Sequence, residues 1–336
     1  MKALMIYIAL VFFGTIIANA QWVKQDVKTD ASFRGLSVVN DKVVWASGSG
    51  GTVIRTIDRG TSWDVIKVPG ADKLDFRDIE AFDANTAYIL SIGNGDSSRI
   101  YKTSDGGTTW KEQFKNTNEK AFFDAIACWD KKNCIAMSDP VDGKYYLIST
   151  KDGETWQPIV SNDLPVAKEG EAAFAASGTC LITDGDSSAY LVTGGSDARV
   201  FRSYDKGQTW IVANSPIVKG TPGSGIFSIA MNDGKRGIIV GGNYEKPSER
   251  ANTAATTIDG GRTWQTLNGL NGYRSGVAFL DNKTIIAVGT SGSEISTDRG
   301  ITWRPLGTEN LNAVAAHKNK TAWAVGPRGS VFSLSN

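Results

Sequence analysis

Short apolar runs separated by polar turns recur along the chain from about residue 30 to its end. VVWASG (43–48), TIIAVG (284–289) and TAWAVG (321–326) read as one kind of strand, apolar and closed by glycine. A second kind precedes it: FRGLSVV (33–39), FRDIEAF (76–82), FFDAIAC (122–128), FSIAM (227–231), SGVAFL (275–280) and LNAVAA (311–316). EAAFAAS (171–177) takes the same place before AYLVTGG (189–195), with an extra stretch carrying Cys180 between them.

After each pair comes a polar motif, Ser/Thr-x-Asp-x-Gly-x-Thr/Ser-Trp. It stands at 56–63, 103–110, 203–210, 257–264 and 296–303, and a sixth copy at 149–156 has Lys151 in the Asp place and Asp152 one position later. The tryptophans are 47, 46, 54, 54 and 39 residues apart, the period of a four-stranded propeller blade. The chemistry suits a turn between the third and fourth strands of a blade. An Asp carboxylate accepts turn N–H groups, Gly takes a positive φ, and Trp re-enters the sheet with a large apolar surface. Asp58, Asp105, Asp205, Asp259 and Asp298 are therefore structural residues. Six blades carry the motif, and 311–336 supplies three strands of a seventh. The fourth is expected from Gln21-Trp22-Val23-Lys24-Gln25, which removes an exposed sheet edge. The expected fold is all-β: one seven-bladed β-propeller over 21–336, closed by pairing the N-terminal strand with the last blade.

This repeat resembles that of the Asp-box (BNR) propellers, and in detail the photosystem II stability/assembly factor-like family, over essentially all of 21–336. The resemblance implies the propeller fold and a role as an assembly or binding scaffold. The Asp box itself is a folding device in this superfamily, so it implies no catalysis.

Three further features narrow the picture. Lys2, the apolar run from Ala3 to Ile17 and Ala18-Asn19-Ala20 have the form of a cleaved signal peptide over 1–20, which predicts a secreted or periplasmic protein with no membrane span after cleavage. The full chain has 36 Lys and Arg against 35 Asp and Glu; setting Lys2 aside leaves a neutral protein, which argues against a nucleic-acid partner. Cys128 and Cys134 bracket a short polar stretch at hairpin spacing, a pairing that an exporting compartment permits, and Cys180 is left as a buried thiol.

The long connections crowd one face of the expected ring. Aligning the first strands places Arg34, Arg77, Phe123, Glu171, Phe227, Arg274 and Asn312 at one level, the channel mouth on that face. Arg199 opens a third strand on the same side, with Asp139, Glu169, Glu171, Tyr244 and Tyr273 nearby. Guanidinium groups suit a carboxylate or phosphate, so the ligand-binding candidates are Arg34, Arg77, Arg274, Arg199, Asp139, Glu171, Tyr244 and Tyr273. The competing reading is that the arginines pair internally, with Asp78 or Asp124. The expected partner is a protein or an anionic ligand, peptide or glycan, bound to a monomer without cofactor or metal. The alternative is a sialidase-like or other glycan-processing enzyme, which requires a Tyr and a Glu to converge beside the arginines. His317, the one histidine, removes His-based triads, and GSGG (48–51) lies between strands and is no dinucleotide loop.

Overall fold

The structure, a computed structural model, describes residues 20–317 and 321–335. The expected signal peptide lies outside the described residues except for Ala20. Seven antiparallel sheets are arranged as blades, each with strands A to D running outwards. Blade 1 is Phe33–Val38, Val44–Gly48, Thr52–Thr56 and Asp64–Lys67; blade 2 is Phe76–Ala81, Ala87–Ser91, Arg99–Thr103 and Lys111–Lys115. Blade 3 is Phe123–Cys128, Cys134–Val141, Lys144–Thr150 and Gln157–Pro158; blade 4 is Leu181–Asp184, Ser188–Val192, Arg199–Ser203 and Ile211–Asn214. Blade 5 is Ser224–Asn232, Arg236–Asn243, Ala254–Thr257 and Gln265–Leu267; blade 6 is Gly276–Phe279, Ile285–Gly289, Gly292–Ser296 and Arg304–Gly307. In blade 7, Ala313–His317, Thr321–Val325 and Val331–Ser335 are completed by Gln21–Lys24.

That last pairing closes the ring. Gln21 lies opposite Ser335 and Lys24 opposite Phe332, and the Trp22 indole N–H donates to Ser293 Oγ of blade 6 at 2.8 Å. The apolar core lies between blades. Trp45, Phe76, Ile79 and Tyr101 fill the space between blades 1 and 2, and Phe33, Ile54 and Trp323 that between blades 7 and 1. A second-strand aromatic spans adjacent blades: Tyr88 Oη of blade 2 lies 2.8 Å from the carbonyls of Lys131 and Gly153 in blade 3.

The Asp-box turns are built alike. Asp58 Oδ1 accepts the Ser62 N–H at 2.9 Å, Oδ2 accepts the Ser62 hydroxyl at 2.6 Å, and Thr56 Oγ1 takes the Gly60 N–H at 2.9 Å. Two consecutive left-handed residues, Arg59 and Gly60, carry the chain round. The sixth copy makes the same bonds in a turn one residue shorter. Asp152 accepts the Thr155 N–H and hydroxyl, and only Gly153 is left-handed there. Lys151 is the residue before the Asp, so this turn has lost a position without losing its carboxylate.

Blade 4 departs from expectation. Residues 171–177 are not its first strand: Leu181–Asp184 is, with Leu181 opposite Leu191. Alanine packs poorly on a pleated surface, whereas Leu181-Ile182-Thr183 suits one. The Asp184-Gly185-Asp186-Ser187 turn then closes the hairpin directly, with Gly185 left-handed. Residues 171–178 are thereby freed to form a strap across the channel mouth. Glu171–Ala172 pairs with Gly194–Gly195, which joins blade 5 at Gly225. Cys128 and Cys134 are bonded to each other where strands A and B of blade 3 begin their turn, and Cys180 is a buried free thiol.

Candidate functional site

A bulge in the first strand decides what reaches the channel mouth. The A–B register slips between Phe33 and Gly35, Phe76 and Asp78, Phe123 and Ala125, and Ile226 and Ser228. Each bulge turns one side chain out of the ladder, and these are Arg34, Arg77, Asp124 and Phe227. In blade 3 the residue at the mouth is therefore Asp124, whereas Phe123 is buried like Phe33 and Phe76.

Arg274 is not part of this ring. Its backbone N–H donates to Gly241 O of the preceding blade, as those of Phe33, Ile226 and Leu311 donate to Gly326, Thr193 and Gly289. Arg274 thus stands where other blades bury an apolar residue, and Ser275 takes the mouth position. A slip of one residue sends a strand side chain to the other face. The residue is 1% exposed and its guanidinium is bound to Glu294 at 2.7 Å, with further bonds to the Tyr273 carbonyl and Ser291 Oγ. Arg199 is also committed internally. It is paired with Glu171 and donates to the Val166 carbonyl at 2.8 Å, and Thr193 Oγ1 completes the carboxylate's shell.

Two cavities open on the long-loop face, one on each side of the strap. The smaller, about 370 Å³, is lined by Arg34, Arg77, Phe174, Phe227, Tyr244, Tyr273 and Asn312, among others. Phe174 of the strap stacks on Phe227 with ring centroids 3.9 Å apart, and Tyr273 meets Phe227 edge-on at 4.7 Å. Tyr244 is half exposed at the rim. Arg34 donates to the Ala176 carbonyl at 2.9 Å and, among the described residues, is paired with no carboxylate. Burial, and then the charge of Arg77, lower its pKa. Arg77 is paired with Asp75 at 2.8 Å and reaches the Ala175 carbonyl.

The larger cavity, about 840 Å³, lies between the strap and the loops of blades 2 and 3; Arg77, Asp124, Asp139, Glu169 and Glu171 are on its walls. Asp139 holds the strap by accepting the Ala173 N–H at 2.8 Å. Among the described residues Asp78 pairs with no arginine and instead accepts the N–H groups of Ile79 and Ile126 beneath the strap; burial pushes its pKa up to about 7.

Of the eight candidates, Arg34, Arg77, Tyr244 and Tyr273 share the smaller cavity. Arg77, Asp139 and Glu171 line the larger, and Arg199 and Arg274 are spent on internal pairs. Sequence reasoning missed the strap, with Phe174, and the place of Asp124. At the channel mouth the described residues show no Tyr–Glu convergence of the kind a sialidase-like enzyme needs: Glu171 binds Arg199, Thr193 and the Lys168 N–H, and no tyrosine hydrogen-bonds to it. Tyr101 does donate to Glu112 at 3.0 Å beside Arg99, but across the third and fourth strands of blade 2, and none of the three lines either cavity. Among these residues no group of His, Cys, Asp or Glu is placed to hold a metal, and no helix is long and apolar enough to cross a membrane.

Ring, blades and turns together define an Asp-box β-propeller, and the BNR/Asp-box repeat family matches residues 294–305. In sequence and in fold the chain is similar to photosystem II stability/assembly factors. Over 241 residues it is 25% identical to "Photosystem II stability/assembly factor HCF136, chloroplastic" of Guillardia theta; the match takes in 67% of this chain and 56% of that relative, little more than half its length. The solved structure "YCF48 bound to D1 peptide" superposes with a TM-score of 0.68 at 14% identity, over 94% of this chain and 97% of that one. The GH74 enzyme of Niastella koreensis superposes at 0.63 and 15% identity, over 93% of this chain and 53% of that one. At such identities these structures share the fold alone, and that fold serves a peptide-bound protein and an enzyme alike.

Proposed function

We propose that this protein is an exported, non-enzymatic scaffold that recognises a protein partner on its long-loop face, taking an anionic group of that partner beside Arg34. The observation that carries this reading is Arg34 itself. It is a guanidinium at the channel mouth with a backbone carbonyl as its partner and an aromatic wall of Phe174, Phe227, Tyr244 and Tyr273 alongside. A carboxylate would take the free edge of the fork, and an apolar side chain next to it would cover the rings. Support for a protein partner comes from the similarity to assembly factors and from the peptide bound to a chain of the same fold.

The test compares a short peptide ending in a free carboxylate with the same peptide as its amide. The carboxylate form should bind more tightly, lose affinity as salt rises, and lose its advantage in Arg34→Ala and Tyr244→Ala. Equal binding of the two forms, or an advantage that survives Arg34→Ala, would refute the reading.

A further inference from the structure

The walls of the larger cavity are out of electrical balance. Its cations are already neutralised: Arg77 by Asp75, Lys120 by Asp142 at 2.8 Å and Lys168 by Asp197. Glu171 has Arg199. Three carboxylates on the same walls, Asp124, Asp139 and Glu169, form no ion pair among the described residues.

Hydrogen bonding shows the same shortage. Asp124 is 1% exposed, yet among the described residues its Oδ2 has no hydrogen-bond partner. Asp139 is partly open to the cavity and uses Oδ1 for the strap. Buried polar atoms in folded proteins are almost always satisfied, so an orphaned carboxylate oxygen on a cavity wall marks a missing donor.

We propose that this cavity binds a basic side chain, an arginine of a protein partner, with its guanidinium on Asp139 and Asp124. Arginine fits better than a compact ammonium because its planar fork carries five N–H donors and can serve two carboxylates at once. Glu169 adds negative charge on the same walls. The inference rests on the reading that the loop face recognises protein, and it assigns this side of the strap the charge opposite to the Arg34 side. A chain laid across the strap would place an acidic group on one flank and a basic one on the other. Raised carboxyl pKa values agree with a missing cation: burial, then the charge of Asp139, raises Asp124, and burial raises Asp139.

The experiment titrates the full-length protein with acetyl-Gly-Arg-Gly-amide and with the same peptide carrying neutral citrulline for arginine. The arginine peptide should bind at least about tenfold more tightly. Asp139→Asn keeps an acceptor for the Ala173 N–H, so the strap stays in place while the charge is lost; it and Glu169→Gln should each reduce the preference. Arg34→Ala should leave it unchanged. Equal binding, no binding of the arginine peptide, or a preference that persists in Asp139→Asn with an unchanged melting temperature would overturn the proposal. The two readings fail separately. Loss of the free-carboxylate preference with the arginine preference intact removes the Arg34 reading alone, and the reverse removes this one.

Discussion

Arg274 and Glu294 form an ion pair in which each side chain is 2% exposed, joined at 2.7 and 2.9 Å through two guanidinium nitrogens. Glu294 Oε1 also accepts the backbone and side-chain N–H groups of Asn271, so the pair ties the loop entering blade 6 to that blade's third strand. Removing one partner leaves an uncompensated buried charge. Arg274→Met should therefore cost about 3–5 kcal/mol in urea unfolding, and Arg274→Met combined with Glu294→Gln should recover part of it. Binding at the Arg34 cavity should be unchanged in any variant that still folds. Loss of binding at unchanged stability would return Arg274 to the site.

Ring closure is open to direct test. Deleting 21–28 removes the fourth strand of blade 7 and the Trp22–Ser293 bond, and exposes the edge at Val331–Ser335. The melting temperature should drop by about 10 °C, or the protein should aggregate through the bared edge. A truncated protein as stable as its parent would show that the closing strand contributes nothing.

The Asp-box carboxylates should matter for stability and leave recognition intact. Asp105→Ala takes away the acceptor for the Thr109 N–H and hydroxyl, and Asp152→Ala does the same to Thr155 in the shortened turn. Both should lower the melting temperature, and Asp152→Ala should lower it more, since that turn has fewer residues over which to relax. Differential scanning calorimetry on the pair decides it.

Stability should peak in mildly acidic solution. Asp78 has a folded pKa of about 7 against an ordinary 3.8, because burial penalises its charged form. The fold therefore prefers the acid, and this contribution is complete below 3.8 and lost as pH rises through about 7. Asp298 behaves oppositely. Hydrogen bonds from Thr302 hold it down to about 2, so its contribution is present above 3.8 and lost as pH falls through about 2. Chemical denaturation from pH 3 to pH 8 should show a maximum near pH 4, with the alkaline slope flattened in Asp78→Asn. A slope unchanged in that variant would assign the effect elsewhere.

The fold was legible because six of the seven blades repeat a turn whose residues are demanded by hydrogen bonding and backbone geometry. The site was less so, because the channel mouth depends on a bulge that leaves no composition signal. Tyr273-Arg274 imitates Phe33-Arg34 and Phe76-Arg77, and that likeness put Arg274 one position out of register. A spacing would have corrected it. Fifteen positions separate Phe33 from Gly48, Phe76 from Ser91, Phe123 from Ser138, and Arg274, not Tyr273, from Gly289. The strap escaped notice for another reason: its residues mimic a first strand in order and hydrophobicity, and only the better strand formers after Gly178 displace them.

The strand Gln21–Lys24 has a consequence for how the molecule comes into being. Its hydrogen-bonding partner is 314 positions away, so the first strand made waits for the last. Until then blade 7 lacks its outer strand and the apolar faces of blades 7 and 1, with Trp323 and Phe33, have not met. Contacts of such separation form late because the entropy of bringing the ends together must be met first. The final clasp therefore depends on the whole arc, because every blade between the two strands must be in place before Gln21–Lys24 lies alongside Phe332–Ser335.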